Sequence, residues 1–347
     1  MSEKKIIGVL TGGGDCPGLN AVIRAVAKRG LYYGYDVIGF KSGWKGLIER
    51  DFVILDHADV SGLVHQGGTF LGTSRTNVLK DEETIQKTFD SYRALNLHGL
   101  VAVGGEGTLT VSEKLHQKGM RLVGAPKTID NDISSTDVTV GFNTAVEIAT
   151  EAIDRLRTTA ESHRRIMVVE VMGRHAGWIA TYAGIAGGAD AVLVPEHSMS
   201  VEDLVESLEK RLSRGKRYSI VVVAEGAKLK HKGEETFIAK DRTDAFGRPQ
   251  LGGIGQALSN MLEDVLGIEC RVTVLGHVQR GGSPTAYDRV VGTRLGSHAV
   301  DLLHAGKWGQ MAAMDGAKVV GKPLSEATGK LKTVDNELWD LAKSFFG

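Results

Sequence analysis

Two aspartates, Asp130 and Asp132, lie one residue apart in the segment Pro126-Lys127-Thr128-Ile129-Asp130-Asn131-Asp132. In an extended stretch, positions two apart face the same way, so both carboxylates would enter one site. Such a pair can share a cation or divide the work of general base and metal ligand. The competing reading is an Asx-turn, which Asp-Asn-Asp favours in loops. Another acid, Glu106, stands inside the cluster Gly104-Gly105-Glu106-Gly107-Thr108. A carboxylate among amides that cradle a phosphate is repulsive unless a cation sits between them. Mg²⁺ suits that place, since it takes one or two carboxylates plus phosphate oxygens. Glu106 at the start of a helix would also be favoured by the helix dipole alone. Arg75, Arg165, Arg174, Arg271 and Arg280, with His277 and Glu225, fall near the ends of apolar runs. Together they suit multiply charged phosphates, with Glu225 assigned to sugar hydroxyls.

The elements that must position these residues follow one grammar. Short Val/Ile/Leu runs end in glycine or charge, and a helical pattern often follows. Ile6–Leu10, Val37–Phe40, Leu100–Val103, Leu122–Ala125, Ile166–Val171, Ser219–Ala224 and Val272–Leu275 are such runs. Runs without alternation predict strands buried on both faces, hence parallel sheets covered by helices. In such sheets ligands bind beyond the carboxyl ends of the strands, where the chemistry-bearing residues fall. Helices are expected over Asn20–Arg29 and Leu109–Leu115. The first glycine cluster, Thr11 to Gly18, lies between a strand and a helix and can bring backbone N–H groups to a phosphate. A tight strand-to-helix turn is the plainer reading. It is not a dinucleotide fingerprint, because Pro17 occupies the third glycine position and Lys41 closes the next strand. The polar stretch from Lys228 to Gln250 reads as a surface excursion, a hairpin or a short helix.

The 347 residues are enough for two domains. Lys+Arg and Asp+Glu both number 42, which argues against nucleic acid or an anionic membrane as partner. Cys16 and Cys270 cannot make a disulfide framework, and no run reaches the length of a membrane span. A reducing cytoplasm is the expected compartment.

The motifs together resemble the bacterial 6-phosphofructokinase family. The resemblance rests on Gly13-Gly14-Asp15-Cys16-Pro17-Gly18-Leu19-Asn20, Gly104–Thr108, Pro126–Asp132, Met172-Gly173-Arg174 and Gly276-His277-Val278-Gln279-Arg280-Gly281-Gly282-Ser283-Pro284. These segments occur in the family's order and span most of the chain. The resemblance implies an α/β fold with two Rossmann-like three-layer domains, whose mainly parallel sheets face a common cleft. It implies a donor and Mg²⁺ domain over 1–141 plus about 279–325, and a sugar-phosphate domain over 142–278 plus about 326–347. The implied reaction transfers the γ-phosphoryl of ATP to the C1 hydroxyl of fructose 6-phosphate, a glycolytic step.

The implied roles follow residue by residue. Asp130 is the base, Glu106 holds Mg²⁺ with Asp132 nearby, and Thr128 and Arg174 steady the developing charge. Gly14, Arg75, Thr76, Gly105, Glu106, Gly107, Thr108 and Lys127 serve the donor. Thr128, Asp130, Arg165, Met172, Gly173, Arg174, Glu225, Arg271, His277 and Arg280 serve the sugar phosphate. Arg165 and Arg271 would reach in from a neighbouring subunit, implying self-association, usually a homotetramer. An effector site in the family matches Arg24, Lys28, Arg157, Asp190, Arg214 and Lys216, which ordinary exposed helix residues would equally explain.

Two residues depart from the ATP-dependent pattern: Glu106 stands for aspartate and Lys127 for glycine. Pyrophosphate-using members carry lysine at the Lys127 position, together with aspartate where Gly107 stands. That aspartate would obstruct a nucleotide, so Gly107 favours ATP and Lys127 keeps a pyrophosphate-dependent phosphotransferase as the alternative. A nicotinamide-dependent dehydrogenase is the alternative of another class, and the failed fingerprint counts against it. A non-enzymatic paralogue would have lost catalytic groups, yet Asp130, Asp132 and Arg174 are present.

Overall fold

The computed structural model describes residues 4–231, 234–236, 239–243 and 249–346. The chain divides into two compact units. The first comprises Met1–Ile129, Ile133–Asn143 and Arg280–Leu331; the second comprises Asp130–Asp132, Thr144–Gln279 and Lys332–Gly347.

The first unit begins β1 (Ile6–Thr11), α1 (Leu19–Tyr32), β2 (Asp36–Phe40), α2 (Trp44–Glu49) and β3 (Phe52–Ile54). It continues α3 (Glu82–Ala94), β4 (Leu97–Gly104), α4 (Glu106–Gln117) and β5 (Leu122–Pro126). Then come α5 (Phe142–His163), β6 (Ile166–Val171), α6 (Trp178–Ala186), β7 (Ala191–Leu193), β8 (Met199–Ser200), α7 (Val201–Ser213) and β9 (Ser219–Ala224). Next are β10 (Leu229–His231), β11 (Glu234–Thr236), β12 (Ala239–Thr243), β13 (Pro249–Leu251), α8 (Ile254–Leu266) and β14 (Cys270–Val274). The last elements are α9 (Ala286–His304), β15 (Gln310–Asp315), β16 (Lys318–Pro323), α10 (Leu324–Ala327) and α11 (Asn336–Lys343).

In the first unit seven strands form a sheet ordered β16-β15-β5-β4-β1-β2-β3. Its five inner strands pair in parallel, and only the edge strands β3 and β16 run antiparallel. Val9, Leu10, Leu100, Val101, Leu122 and Val123 are fully buried, as expected for strands covered on both faces. The register pairs Thr11 with Val103 and Gly104 with Pro126. Three strand ends therefore stand side by side and deliver the first glycine loop, the second glycine loop and Lys127 to one edge.

The second unit carries a four-stranded, all-parallel sheet ordered β14-β6-β9-β7. Its core joins Val168, Val221 and Val223 of the strands to Leu204, Leu208, Leu258 and Leu262 of α7 and α8. The register pairs Val171 with Ala224 and Glu170 with Val274. That alignment sets Met172–Arg174, Glu225 and the turn Gly276–Arg280 beyond neighbouring strand ends.

All seven apolar runs are strands, and α1 and α4 contain the two expected helices. The excursion after Lys228 pairs β10 with β11 and β12 with β13, both antiparallel. Its residues 232–233, 237–238 and 244–248 lie outside the described residues. Among the described residues no helix is long and apolar enough to cross a membrane. The thiols Cys16 and Cys270 are buried and free.

Candidate active site

In the first unit, the loop after β1 is tied down through its carbonyls. Lys127 is 2% exposed, and its ammonium donates to the Gly12 carbonyl at 2.9 Å and to the Gly14 carbonyl. The Lys127 backbone N–H donates to the Gly104 carbonyl, so one residue spans both glycine loops. Thr73 Oγ1 donates to the Gly13 carbonyl at 2.6 Å, and Arg280 donates to the Asp15 carbonyl at 3.2 Å. With these carbonyls already engaged, the loop's remaining backbone polarity is that of its N–H groups, which suits an anion. Gly14 is exposed, and a Cβ there would lie 2.7 Å from the Arg280 guanidinium, which therefore lies against the loop. Burial pushes the Cys16 thiol up to about 12, leaving it a neutral group inside this loop.

Gly105 is the N-cap of α4 and, having no side chain, makes no side-chain cap of its own. Glu106 lies in that first turn, and Thr108 is buried beneath it. A Cβ added at Gly107 would meet no atom within 4 Å, so open space borders this position. Arg75 is exposed and Thr76 half-buried; Ser74 Oγ lies 2.8 Å from Thr76 Oγ1. Thr128 is half-buried, and its carbonyl accepts the Thr139 hydroxyl at 2.7 Å.

Asp130 and Asn131 are buried and Asp132 half-buried. This segment departs from the extended expectation: Ile129 and Asp130 form a turn, and Asn131 sits in the left-handed region at φ 51°. Side-chain alternation therefore does not place the two carboxylates together, and the turn enters the Asp-Asn-Asp stretch at Asp130. The electrostatics nevertheless link Asp130 to Glu225. Burial raises the Glu225 pKa above its ordinary value, and the Asp130 charge raises it further. N–H groups of Arg174 and Gly173 and the Arg174 charge pull it back down.

The Met172–Arg174 turn is held at each residue. The Met172 N–H donates to Gln279 Oε1 at 2.8 Å, and the Arg174 N–H donates to Glu225 Oε1 at 3.2 Å. Arg174 has φ 52°, a conformation unusual for a long side chain and one that requires such support. Gly226 makes room for the turn, because a Cβ there would lie 1.9 Å from the Arg174 carbonyl oxygen. His277 is exposed on the turn Gly276–Arg280, and Arg280 is half-buried.

Arg165 and Arg271 are brought together by a residue that the sequence did not single out. Glu269 accepts from Arg165 Nε at 2.5 Å and from Arg271 Nη2. The hydrogen bond from Arg165, ahead of the arginine charges, holds the Glu269 carboxyl below its ordinary value. Gln279 and Gly226, and Glu269 in its bond to Arg165, act across long chain separations, so no local spacing marks those contacts.

Of the residues matched to an effector site, Asp190 is buried and accepts from Arg211 at 2.9 Å and from the Ile220 N–H at 2.8 Å. Burial raises its pKa; the Ile220 N–H and the Arg211, Arg157 and Lys216 charges oppose that. Arg157 donates to the Gly187 and Gly188 carbonyls. Arg24 and Lys28 are half-buried on α1, and Arg214 is exposed.

With this geometry in place, comparison with known proteins is decisive. A sequence profile described as Phosphofructokinase matches residues 6–303. The chain belongs to the phosphofructokinase family. It is 53% identical, over 98% of its length and 99% of the relative, to a Streptomyces coelicolor protein named pyrophosphate–fructose 6-phosphate 1-phosphotransferase. It is 52% identical, with the same coverage, to ATP-dependent 6-phosphofructokinase 2 of that organism. The solved phosphofructokinase of Saccharomyces cerevisiae matches 98% of the chain at 32% identity and TM-score 0.81, and the chain spans 46% of that larger polypeptide. Family membership accords with glycine loops and an acid-bearing turn at strand ends; it rests on no dinucleotide fingerprint.

Proposed function

We propose that this protein is a 6-phosphofructokinase that transfers the γ-phosphoryl group of ATP to the C1 hydroxyl of fructose 6-phosphate. The observation that carries the acceptor half is the coupled set Asp130, Glu225 and Arg174 beyond β6 and β9. Asp130 removes the proton from the C1 hydroxyl as its oxygen bonds to the γ-phosphorus. The bond from that phosphorus to the β-bridging oxygen breaks, and ADP leaves. Arg174 and Thr128 stabilise charge on the transferring group, and positioning supplies much of the rate. Glu225 receives sugar hydroxyls, with Met172, Gly173, His277 and Arg280 beside the acceptor. Arg165 and Arg271, paired on Glu269, complete the site of a neighbouring subunit in a self-associated, cytoplasmic enzyme.

On the donor side, Gly14, Arg75, Thr76, Gly105, Gly107 and Thr108 receive the phosphates and the nucleotide. Among the described residues no cluster of three or more His, Cys, Asp or Glu can hold a metal ion. A single carboxylate at the start of α4, Glu106, fits Mg²⁺, which takes few carboxylates and arrives with phosphate oxygens. Glu106 would hold it, and bound Mg²⁺ would neutralise phosphate charge. Open space at Gly107 favours ATP.

Pyrophosphate is the second reading of the donor. It is favoured by the Lys127 ammonium buried beneath the first glycine loop and by the name of the 53% identical relative. Turnover measured with fructose 6-phosphate and either ATP or pyrophosphate separates the two. Turnover with ATP is expected; turnover with pyrophosphate alone overturns the donor assignment. Asp130→Asn should retain fructose 6-phosphate binding while kcat falls by roughly 10²–10⁴. Near-normal kcat in that variant would remove Asp130 as the base.

A further inference from the structure

A stretch near the C-terminus is hydrogen-bonded both to the aspartate turn and to the start of α6. The Lys332 N–H donates to the Asp132 carbonyl at 3.0 Å, and the Lys332 carbonyl accepts the Trp178 indole N–H at 2.9 Å. Trp178 opens α6, the helix that follows the Arg174 turn. Two residues further on, the Val334 N–H donates to Glu196 Oε1 at 3.0 Å. The same carboxylate accepts the Gly177 N–H, at 2.9 and 3.1 Å to its two oxygens. The pairing with the aspartate turn extends through an antiparallel bridge between Ile133 and Leu331. Behind it, the tail is anchored by Trp339, which is 4% exposed and stacks on His197 at 4.9 Å between ring centroids.

We propose that Trp178 and the Lys332–Val334 strap are positioning residues for phosphoryl transfer, locking the aspartate turn to the start of the helix that follows the Arg174 turn. The inference rests on the roles proposed above for Asp130 and Arg174. Its physical basis is the aspartate turn itself, whose left-handed Asn131 is tolerated by asparagine but is held in one arrangement by bonds from neighbouring backbone. Backbone hydrogen bonds from the strap supply that hold without touching the reacting groups. The buried indole N–H supplies direction, since a buried tryptophan needs a partner and here has one backbone oxygen. Lys332 also lays its ammonium 5.1 Å from the centroid of the Trp178 ring, so strap and helix meet twice.

Two substitutions in the full chain test this. Trp178→Phe removes the N–H but keeps a ring beneath the Lys332 ammonium. Lys332→Pro removes the N–H given to Asp132. In each, kcat should fall about tenfold while KM for fructose 6-phosphate changes less than about twofold, because misplacement by a fraction of an ångström affects the reacting geometry most. Thermal unfolding is recorded alongside, and Trp178→Phe decides the matter if Lys332→Pro does not fold. A lower Tm with wild-type kcat per folded molecule would reduce the strap to packing and overturn the proposal. Asp130→Asn is assayed in parallel. If it is inactive while Trp178→Phe turns over normally, only the strap is refuted; if it is active, the assignment of the base fails first.

Discussion

The strand ends of the first unit present glycines and engaged carbonyls, whereas those of the second present Arg174, Glu225 and His277. The difference follows what each would hold. A terminal phosphate chain is uniform and highly charged, so backbone amides and helix starts can receive it without side-chain discrimination. A sugar phosphate has hydroxyls at fixed positions and needs directional acceptors and donors. The first unit accordingly spends buried charge on shaping a loop, through Lys127. The second places charged side chains close enough to shift one another, as Asp130 raises the pKa of Glu225.

If that contrast holds, adding a side chain should be most harmful at the glycine loops, and in two distinguishable ways. A Cβ at Gly104 would fall 2.4 Å from Thr108, so Gly104→Ala is a packing change expected to cost roughly 1–3 kcal/mol of stability. Gly107 borders open space, so Gly107→Asp should leave the unfolding midpoint almost unchanged. Its carboxylate should instead lower kcat/KM for ATP by about a hundredfold through steric and like-charge exclusion. Pyrophosphate turnover should suffer far less. Equal losses with both donors would show that Gly107 does not border the nucleotide.

In the second unit the corresponding change is loss of charge without loss of shape. Glu269→Gln keeps an acceptor for Arg165 but releases its hold on two arginines at once. The expected result is a rise of about fivefold at most in KM for fructose 6-phosphate at unchanged kcat, shrinking as salt is raised, because the pair is solvent-accessible. A change in kcat instead would place Glu269 nearer the chemistry than the geometry does.

The readable part of this molecule was local. Unbroken runs such as Ile166–Val171 and Leu122–Ala125 became buried parallel strands because nothing but burial on both faces explains them. The glycine loops and acids were visible because they follow those runs directly. What was not legible depends on register between distant segments. Glu269 meets Arg165, Gln279 meets Met172, and Lys332 meets Asp132 only because the sheets and the tail bring them there. A local rule also failed at the aspartates. Period-two alternation assumes extended backbone, and the left-handed Asn131 breaks it.

The smallest effect concerns protons on Glu225. Its folded-state pKa is raised, first by burial and then by Asp130, above the ordinary value of 4.5. Between that value and the raised one, the native state binds more protons than the unfolded chain. Stability must therefore fall as pH rises through this window, the reverse of a salt-bridged carboxylate. Glu225→Gln removes the titration while keeping an acceptor for the Arg174 N–H. Its denaturation midpoint should decline less than that of the parent as pH rises above about 4.5, with the two curves closest at the acid end. Parallel curves would mean that Glu225 is relieved of its burial cost by other groups. In that case the contrast between a backbone-built donor side and a charge-built acceptor side would lose its electrostatic half.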